Sequence, residues 1–587
     1  MLRVRRLYFY LVLYAGLGMM LVGLATVIRV LLEQALGVTS SGIGFLGGNA
    51  VFAGREWFRE QTAVGIALTV VGLPVWLLHW RAVRGWVVGP DGTDEQSSAL
   101  RRLYVYGALL TTAISAYMAG RDTLAELLRL PLSLESSAAQ LAAVIRPLPS
   151  FITAGTLWLF HLRMAAEDRD AAGEVSASAT LRRWYWYLMV AAGALPLAVA
   201  LQALATVGWS LFATPGPLAE VNRVGLLRGM AENGATGLAA LVVWLYFRRV
   251  TETATVAGSW HGENEGASVL RKVHLYGITV FMVVGTLAAA SELLRFAIAS
   301  ALGVAVDEVG GQPARVALGQ PLSGLVVYGA FWAYVWRAVR AEALTQSEEG
   351  RQAGVRRLYY YLVAVVAFVL VMLSTWGLLN MLVQAVFDVL PVAPDDAKQG
   401  LARMASTLLI ALPVWLMHWS RSQAAARGDD GAAERRSLTR RIYLYAIVFG
   451  TLAGVVVSGA REVYELTLAA LGRPAGQSLA GALMHPLADG LLFGAALVYH
   501  WWVVLRADVA ATRHAASERA AVAVVAGLDA AAVEALQSFI RDSLGGARTK
   551  VYWTDAAHAR AVVEEAQSET QYEAQMESHH PRSVYLR

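Results

Sequence analysis

Cysteine is absent from this chain of 587 residues, which excludes disulfides, thiolate nucleophiles, iron–sulfur clusters and zinc sites built on thiolates. Charged residues are scarce: they make up 16% of the chain, against roughly 25% in a typical globular domain. Hydrolase elbows, phosphate-binding loops, HExxH motifs and EF-hand spacings do not occur. Nothing in the sequence therefore supports an enzyme, and no cofactor or metal site is predicted.

Apolar residues dominate the chain. They form 57% of it, and the mean hydropathy is +0.48, which is typical of an all-α integral membrane protein in a lipid bilayer. The first apolar run, residues 7–30, has no small-residue cleavage site, so we expect a retained span and not a signal peptide. The net charge of +5 comes from basic residues at helix ends. Such residues set topology, and nucleic acid is not an expected partner.

One short motif recurs six times: two basic residues and then aromatic residues open a long apolar run. The copies begin at Arg5, Arg101, Arg182, Arg271, Arg356 and Arg440. Such an opening is typical of a helix that leaves the cytoplasmic face of a membrane. A second apolar run follows each copy, and about 20 residues suffice to span a bilayer. The sequence therefore predicts about twelve transmembrane helices, arranged as six two-helix repeats.

Pairs of these repeats form a larger module. The second helices of the first and fifth repeats share Leu-Pro-Val-Trp-Leu-x-His-Trp, at residues 73–80 and 412–419. The second helices of the even repeats instead start with Pro-Leu, at Pro147, Pro321 and Pro486. We therefore expect three four-helix blocks of the same orientation around a pseudo-threefold axis, with a linear arrangement of helix pairs as the alternative. The blocks cover residues 1–170, 171–345 and 346–509.

Orientation follows from where Lys and Arg fall. They concentrate in the segments between the two-helix repeats and are sparser in the loops inside each repeat. By the positive-inside rule, we expect a multi-pass protein of the cell (cytoplasmic) membrane with both termini in the cytoplasm.

After Arg506 the chain becomes polar. The pattern predicts strands near residues 520–527 and 549–554, and helices near 530–544 and 556–567. We expect a small cytoplasmic α/β region in residues 510–587 with a flexible tail, which offers a binding site for a soluble partner.

The Arg-Arg-Leu-Tyr-x-Tyr openings resemble those of an uncharacterised bacterial family of polytopic membrane proteins, defined by a domain of unknown function with paired helices. The resemblance covers roughly residues 5–505 and implies a fold of repeated helix pairs, but no activity and no functional residue. The third and fourth repeats depart most from the motif, with Trp184 and His274 in place of Leu and Tyr.

Charged residues recur about 30 Å along the first helix of each even repeat, at 1.5 Å per residue, which places them near the outer interface. The set is Arg121, Asp122 and Glu126 in the first copy, Glu292 and Arg295 in the second, and Arg461, Glu462 and Glu465 in the third. Three such helices around an axis would gather these side chains into one charged belt. The belt is either a transport site or a structural clamp of Arg–carboxylate pairs.

Histidines form two further groups of candidates. His485 and Asp489 lie one turn apart on the last apolar helix and form either a proton relay, a weak metal site or a polar helix contact. The other group recurs near the cytoplasmic ends of second helices and comprises His79, His161, His418 and His500. These are candidate haem ligands, but their depth argues against haem, and with their aromatic neighbours they are typical of an interfacial belt.

Three functions are compatible with these features. The first is a transporter or channel for a small solute or ion, which the repeated blocks, helix prolines and charged belt favour. The second is a membrane scaffold or sensor whose residues 510–587 bind a soluble cytoplasmic protein. The third, with the least support, is a haem-binding redox protein.

Overall fold

The structure is a computed structural model, and almost all of its described residues are helical. It describes residues 2–37, 41–43, 51–90, 92–132, 137–173, 176–214, 217–256, 265–266, 268–304, 308–309, 312–345, 350–387, 394–428, 431–471, 479–510, 521–526 and 549–554. The chain forms two compact units. The first comprises Met1–Leu293 and Ala305–Gln346, and the second comprises Leu294–Val304 and Ser347–Arg587.

The first half of the chain folds into long helices joined by short helices and strand pairs. The helices are α1 (Leu2–Ala35), α2 (Gly54–Val88), α3 (Gly92–Ser97), α4 (Ala99–Arg129), α5 (Ser137–Ile145), α6 (Leu148–Ala172), α7 (Ser176–Ala213), α8 (Pro217–Thr253), α9 (Val269–Ala301), α10 (Ala314–Ala317) and α11 (Gly319–Thr345). Two antiparallel pairs connect long helices, β1 (Ser41–Ile43) with β2 (Val51–Ala53) and β3 (Glu308–Val309) with β4 (Gln312–Pro313).

Residues 350–505 form long helices joined by a short helix, as the preceding residues do. These helices are α12 (Gly350–Phe387), α13 (Pro394–Arg427), α14 (Gly431–Arg436), α15 (Leu438–Leu471) and α16 (Leu479–Leu497), and α16 continues as a π-helix over Val498–Leu505. Beyond it, β5 (Ala521–Ala526) pairs in parallel with β6 (Thr549–Thr554). The helices that the sequence predicts near 530–544 and 556–567 lie outside the described residues. The α/β character of residues 510–587 therefore stays a prediction.

Eleven helical segments within the described residues are long and apolar enough to cross a membrane. The chain is thus a multi-pass helical membrane protein, and eleven segments meet this criterion where the sequence predicts about twelve spans. The segment that differs is α8, which is long but carries Arg223, Arg228 and Glu232 in its first half. These charges dilute the apolar stretch of α8 relative to those of the other long helices.

Small residues let sequential helices approach closely, as is usual between membrane helices. A Cβ atom added to Gly193 in α7 would lie 2.6 Å from the backbone nitrogen of Trp244 in α8. In α1, a Cβ atom on Gly23 would lie 2.7 Å from the backbone nitrogen of Thr69 in α2. The helix pairs that the sequence predicts therefore pack as antiparallel neighbours, with glycine at the points of closest contact.

The buried core of the first unit lies mainly around α4, which packs against α1, α6, α7 and α8. The second unit has a smaller core built from α12, α13, α15 and the end of the last helix. The predicted blocks 1–170 and 171–345 lie largely in the first unit, and block 346–509 lies in the second. Their pseudo-threefold arrangement stays a prediction.

Candidate functional site

Four arginines of the opening motifs are buried in the protein. Arg101, Arg102, Arg182 and Arg440 are each 3% exposed or less. The sequence presents these residues as topology determinants at helix ends, whereas the structure surrounds them with carboxylates and carbonyl oxygens. Because desolvating a charge is costly, each buried guanidinium group needs such partners.

In the first unit, one carboxylate joins α1 to the short helix α3. Glu95 is 2% exposed, and its Oε2 atom lies 2.7 Å from Nε of Arg6. The hydroxyl of Tyr10 donates to the other oxygen, Oε1, at 2.6 Å. Both carboxylate oxygens of Glu95 are therefore satisfied by residues of the first opening motif.

The next opening motif fixes α4 to the end of α6. Nε and Nη2 of Arg101 donate to the two oxygens of Asp168 at 2.7 and 2.8 Å, a two-point ion pair. Arg102 donates to the backbone carbonyls of Gln96, Asp168 and Gly173. Its positive charge thereby lies at the C-terminus of α6, where the helix dipole favours a cation.

The second unit contains the same network. Arg357 pairs with Glu434 at 2.6 Å, and the Tyr361 hydroxyl donates to the same carboxylate at 2.8 Å. Arg440 pairs with Asp508 at 2.5 and 3.3 Å. Arg440 also donates to the Tyr361 hydroxyl at 3.0 Å, which joins the two ion pairs into one cluster.

A third copy lies in the first unit, where Arg182 and Arg183 both pair with Glu265, the latter at 3.0 Å. Each predicted block therefore has one buried ion pair between its first opening motif and the segment before its second. We call these three clusters the basic-end networks. The first comprises Arg6, Tyr10, Glu95, Arg101 and Asp168, the second comprises Arg182, Arg183 and Glu265, and the third comprises Arg357, Tyr361, Glu434, Arg440 and Asp508.

The sequence holds a signal for these networks that motif analysis of the openings misses. Glu95, Glu265 and Glu434 each stand six residues before the first arginine of an even opening motif. A serine stands midway in all three copies, and its backbone N–H donates to the carbonyl of that glutamate. The recurrence of a glutamate at a fixed distance before a basic pair is therefore a signal in the sequence that indicates these ion pairs.

A hydrogen-bonded chain lies beside the first network, where the rings of Tyr10 and Tyr104 are in contact. Nε1 of Trp76 donates to the Tyr104 hydroxyl at 3.1 Å, and this hydroxyl lies 3.1 Å from Nε2 of His161. Nδ1 of His161 lies 2.7 Å from the carbonyl of Leu157, which can only accept a hydrogen bond. His161 therefore carries its proton on Nδ1 and accepts from Tyr104 at Nε2, so both ring nitrogens are engaged.

The corresponding histidine in the second unit is placed differently. His500 also bonds the carbonyl four residues earlier through Nδ1, at 2.9 Å, but its Nε2 is buried with no hydrogen-bond partner among the described residues. His500 lies in the π-helix Val498–Leu505, which adds one residue to a helical turn. His161 precedes Asp168 by seven residues, whereas His500 precedes Asp508 by eight.

His79 and His418 complete the four candidate haem ligands. Each bonds the carbonyl four residues earlier through Nδ1, and each contacts the aromatic pair of an opening motif. Neither of two cavities of about 540 and 620 Å³ in the described part of the chain is lined by a histidine. The described residues also contain no group of three or more His, Asp or Glu side chains that could hold a metal ion.

A buried polar site away from the basic ends lies in the second unit. Asp489 of α16 is 3% exposed, and it accepts from Nη1 of Arg461 at 3.2 Å and from Nδ2 of Asn380 at 2.9 Å. Oδ1 of Asn380 lies 2.8 Å from Nδ1 of His485. Asn380 thus bridges His485 and Asp489, which the sequence placed on one helix face. We call Asn380, Arg461, His485 and Asp489 the polar quartet.

A cavity of about 540 Å³ opens beside the polar quartet. It lies between α12, α15 and α16, and its wall is apolar apart from Thr451, Ser458, Arg461 and Asp489. A few convergent polar groups in an otherwise apolar cavity are typical of a ligand site. This arrangement makes the quartet the candidate functional site.

The remaining charges of the predicted belt form local pairs. Arg121 pairs with the adjacent Asp122 at 2.9 Å, and Glu126 pairs with Arg129 at 2.8 Å. Arg129 also pairs with Glu232, which ties α4 to α8. The other members, Glu292, Arg295 and Glu465, have interaction partners as well, and Oε2 of Glu462 is buried without a hydrogen-bond partner among the described residues. The gathering of the three copies into one belt stays a prediction.

Comparison with known proteins identifies a family. The model for a domain of unknown function (DUF5671) matches residues 6–155, 296–405 and 386–496, which together exceed half of the chain. Three matches along one chain agree with the internal repetition and with the family resemblance that the opening motifs indicate. No curated protein and no solved structure matches the chain.

Proposed function

We propose that this chain, which belongs to the family defined by the domain of unknown function DUF5671, carries a small solute or ion across a membrane. The observation that supports this most is the buried carboxylate of Asp489, which lies within membrane-spanning helices at the wall of a cavity of about 540 Å³. Ionisable residues in membrane helices are costly, and they commonly mark pathways for substrates or ions.

The quartet has the chemistry of an exchangeable site. Arg461 neutralises Asp489 when the cavity is empty, and its side chain is 53% exposed, so it is free to move away. A cation in the cavity would take the place of Arg461 at Asp489, and an anion would take the place of Asp489 at Arg461. His485 and Asn380 supply further polar atoms on neighbouring helices.

The topology that fits this function has both termini in the cytoplasm of a cell. We infer that α8 is a twelfth crossing, because its length matches that of α7 and the two helices pack closely at Gly193 and Trp244. An even number of crossings in each block keeps the blocks in one orientation. Prolines inside α2, α13 and α16 add the kinks that are frequent in transporters.

Flux measurements on purified protein in lipid vesicles test the proposal. Vesicles are loaded with fluorescent reporters for protons, Na⁺, K⁺ and Cl⁻, and osmotic swelling reports small neutral solutes. We expect wild-type protein to move at least one of these, and Asp489→Asn to lower the rate at least tenfold. Asp395→Asn is the matched control, because Asp395 is exposed in the first turn of α13. Equal rates for the two variants would contradict the proposal.

The alternative is a membrane scaffold or sensor whose residues 510–587 bind a soluble partner. The basic-end networks favour it, because buried ion pairs at the cytoplasmic ends would hold the helices in a rigid platform. Joint neutralisation of Asp122, Glu292 and Glu462 separates the two functions. Loss of flux with an unchanged melting temperature supports transport, whereas a lowered melting temperature with unchanged flux per folded molecule supports the clamp and the scaffold.

The haem hypothesis has a direct test in the absorbance spectrum of the purified protein. A Soret band that disappears in His79→Ala or His418→Ala would support it. His161 is the poorest ligand of the four, since both of its ring nitrogens already have hydrogen-bond partners.

A further inference from the structure

A second large cavity lies in the first unit, separate from the polar quartet. It measures about 620 Å³ and is open on one side. Helices α4, α6, α7 and α8 form its walls, which are apolar over most of their surface. Along α4 the lining runs from Ala113 to Arg121, a length of about 12 Å at 1.5 Å per residue.

A glycine in the wall of this cavity leaves part of its volume unfilled. A Cβ atom added to Gly155 of α6 would meet nothing within 4 Å, so this position opens onto empty volume. Phe151, one turn earlier, lies against Gly120 of α4 and lines the same cavity. The exposed side chains of Leu159 and Val242 continue the apolar wall towards the surface. In a chain that spans a membrane, such an apolar opening faces lipid.

Arg121 is the one charged residue among those that line the cavity. It follows Arg101 by twenty residues, or about 30 Å along α4, which places it at the level of the opposite bilayer surface. Its Nε atom is buried and has no hydrogen-bond partner among the described residues. Tyr117, one turn earlier, lines the same wall and offers a hydroxyl group.

Asp122 is the counter-charge of Arg121, but it leaves Arg121 accessible to a second anion. The two side chains pair at 2.9 Å, but both are partly exposed, 35% and 47% respectively. Exposed ion pairs contribute little to stability, so an incoming anion can share or replace Asp122 at modest cost. Arginine binds phosphate particularly well because its planar group offers two parallel N–H donors.

We propose that this cavity binds one anionic phospholipid, with an acyl chain along the apolar wall of α4 and α6 and the phosphate at Arg121. The apolar wall, the opening towards lipid and a single cation at headgroup depth together match that ligand class. A soluble anion would make no use of the apolar wall, and a neutral lipid would make no use of Arg121.

The test uses full-length protein stripped of lipid and titrated with phosphatidylglycerol or phosphatidylcholine of identical acyl chains, with bound lipid counted by native mass spectrometry. We expect the wild type to bind one phosphatidylglycerol at least tenfold more tightly than phosphatidylcholine. Arg121→Gln should remove this preference, whereas Asp122→Asn should tighten phosphatidylglycerol binding severalfold by removing the competing carboxylate. Arg163→Gln is the charge control, because Arg163 is an exposed arginine at the other end of α6.

Filling the cavity gives an independent test. Gly155→Leu should abolish the tight site for both lipids without lowering the melting temperature, because the new side chain enters empty space. Gly277→Leu is the matched control, since Gly277 of α9 also has nothing within 4 Å and lies outside the cavity. If Gly155→Leu fails to fold, a photoreactive phosphatidylglycerol bound to wild type should label Leu159 or Val242.

Three results would overturn the proposal. The first is equal affinity of the wild type for the two lipids, and the second is an unchanged preference in Arg121→Gln. The third is displacement of phosphatidylglycerol by equimolar oleate, which would assign the site to a free fatty acid. None of these results bears on Asp489, so the transport proposal is tested separately.

Discussion

Arg101 and Asp168 form a two-point ion pair that is almost completely buried, with side chains 4% and 1% exposed and distances of 2.7 and 2.8 Å. The pair joins the first turn of α4 to the last turns of α6. Arg440 and Asp508 form the same pair in the second unit. A basic motif that the sequence presents as a topology determinant therefore also joins two helices in the folded chain.

Removal of one partner of this pair should be strongly destabilising. Asp168→Asn keeps the shape of the side chain but leaves the guanidinium of Arg101 buried without a counter-charge, which costs about 3–5 kcal/mol. We expect a clearly lower unfolding midpoint in detergent micelles. The control is Asp170→Asn, two residues later on α6, where the side chain is 76% exposed. An equal effect of the two substitutions would show that the ion pair does not hold the helices.

The Tyr104 hydroxyl should matter more than its counterpart Tyr443. Tyr104→Phe leaves both Nε1 of Trp76 and Nε2 of His161 without their partner, at about 1–3 kcal/mol for each buried group. Tyr443→Phe removes only the longer bond from Trp415, at 3.3 Å. Thermal unfolding of both variants, with the exposed Tyr8→Phe as control, checks the order. A larger effect at Tyr443 would contradict the assigned hydrogen bonds.

The close approach of α7 and α8 should not tolerate a methyl group. In Gly193→Ala the new Cβ atom would collide with the backbone of Trp244, so the helices must separate, at about 1–3 kcal/mol. Gly208→Ala on the same helix meets nothing within 4 Å. Because alanine favours the helix by roughly 0.5–1 kcal/mol over glycine, this control should be neutral or stabilising. Equal stability of the two variants would show that α7 and α8 do not approach each other closely at Gly193.

Single-cysteine labelling should place the two ends of α4 on opposite sides of the membrane. The chain has no native cysteine, so Thr93→Cys and Ser137→Cys each introduce a unique thiol at an exposed position. A membrane-impermeant maleimide added to intact cells should label Ser137→Cys, and Thr93→Cys only after the membrane is opened. Labelling of both positions from outside would refute α4 as a crossing helix and the positive-inside orientation.

Much of the fold can be predicted from the sequence because membrane helices are specified locally. The six opening motifs and the apolar runs after them mark the long helices, apart from the more polar α8. Contacts between distant residues were harder to predict. Glu95 reads as part of a polar linker, although it bonds Arg6 and Tyr10. Asn380 carried no signal, because its role depends on how α12 packs against α16.

The sequence by itself determined that this protein is a repeated set of helices in a bilayer, because the length and polarity of each segment decide which solvent it can enter. Only the tertiary structure decided which charges meet. Arg101 donates to Asp168, which follows it by 67 residues, and Asn380 donates to Asp489, which follows it by 109 residues. A pair so far apart in the chain forms only when whole helices pack, and helix packing likewise gives His161 a partner at Nε2 that His500 lacks among the described residues.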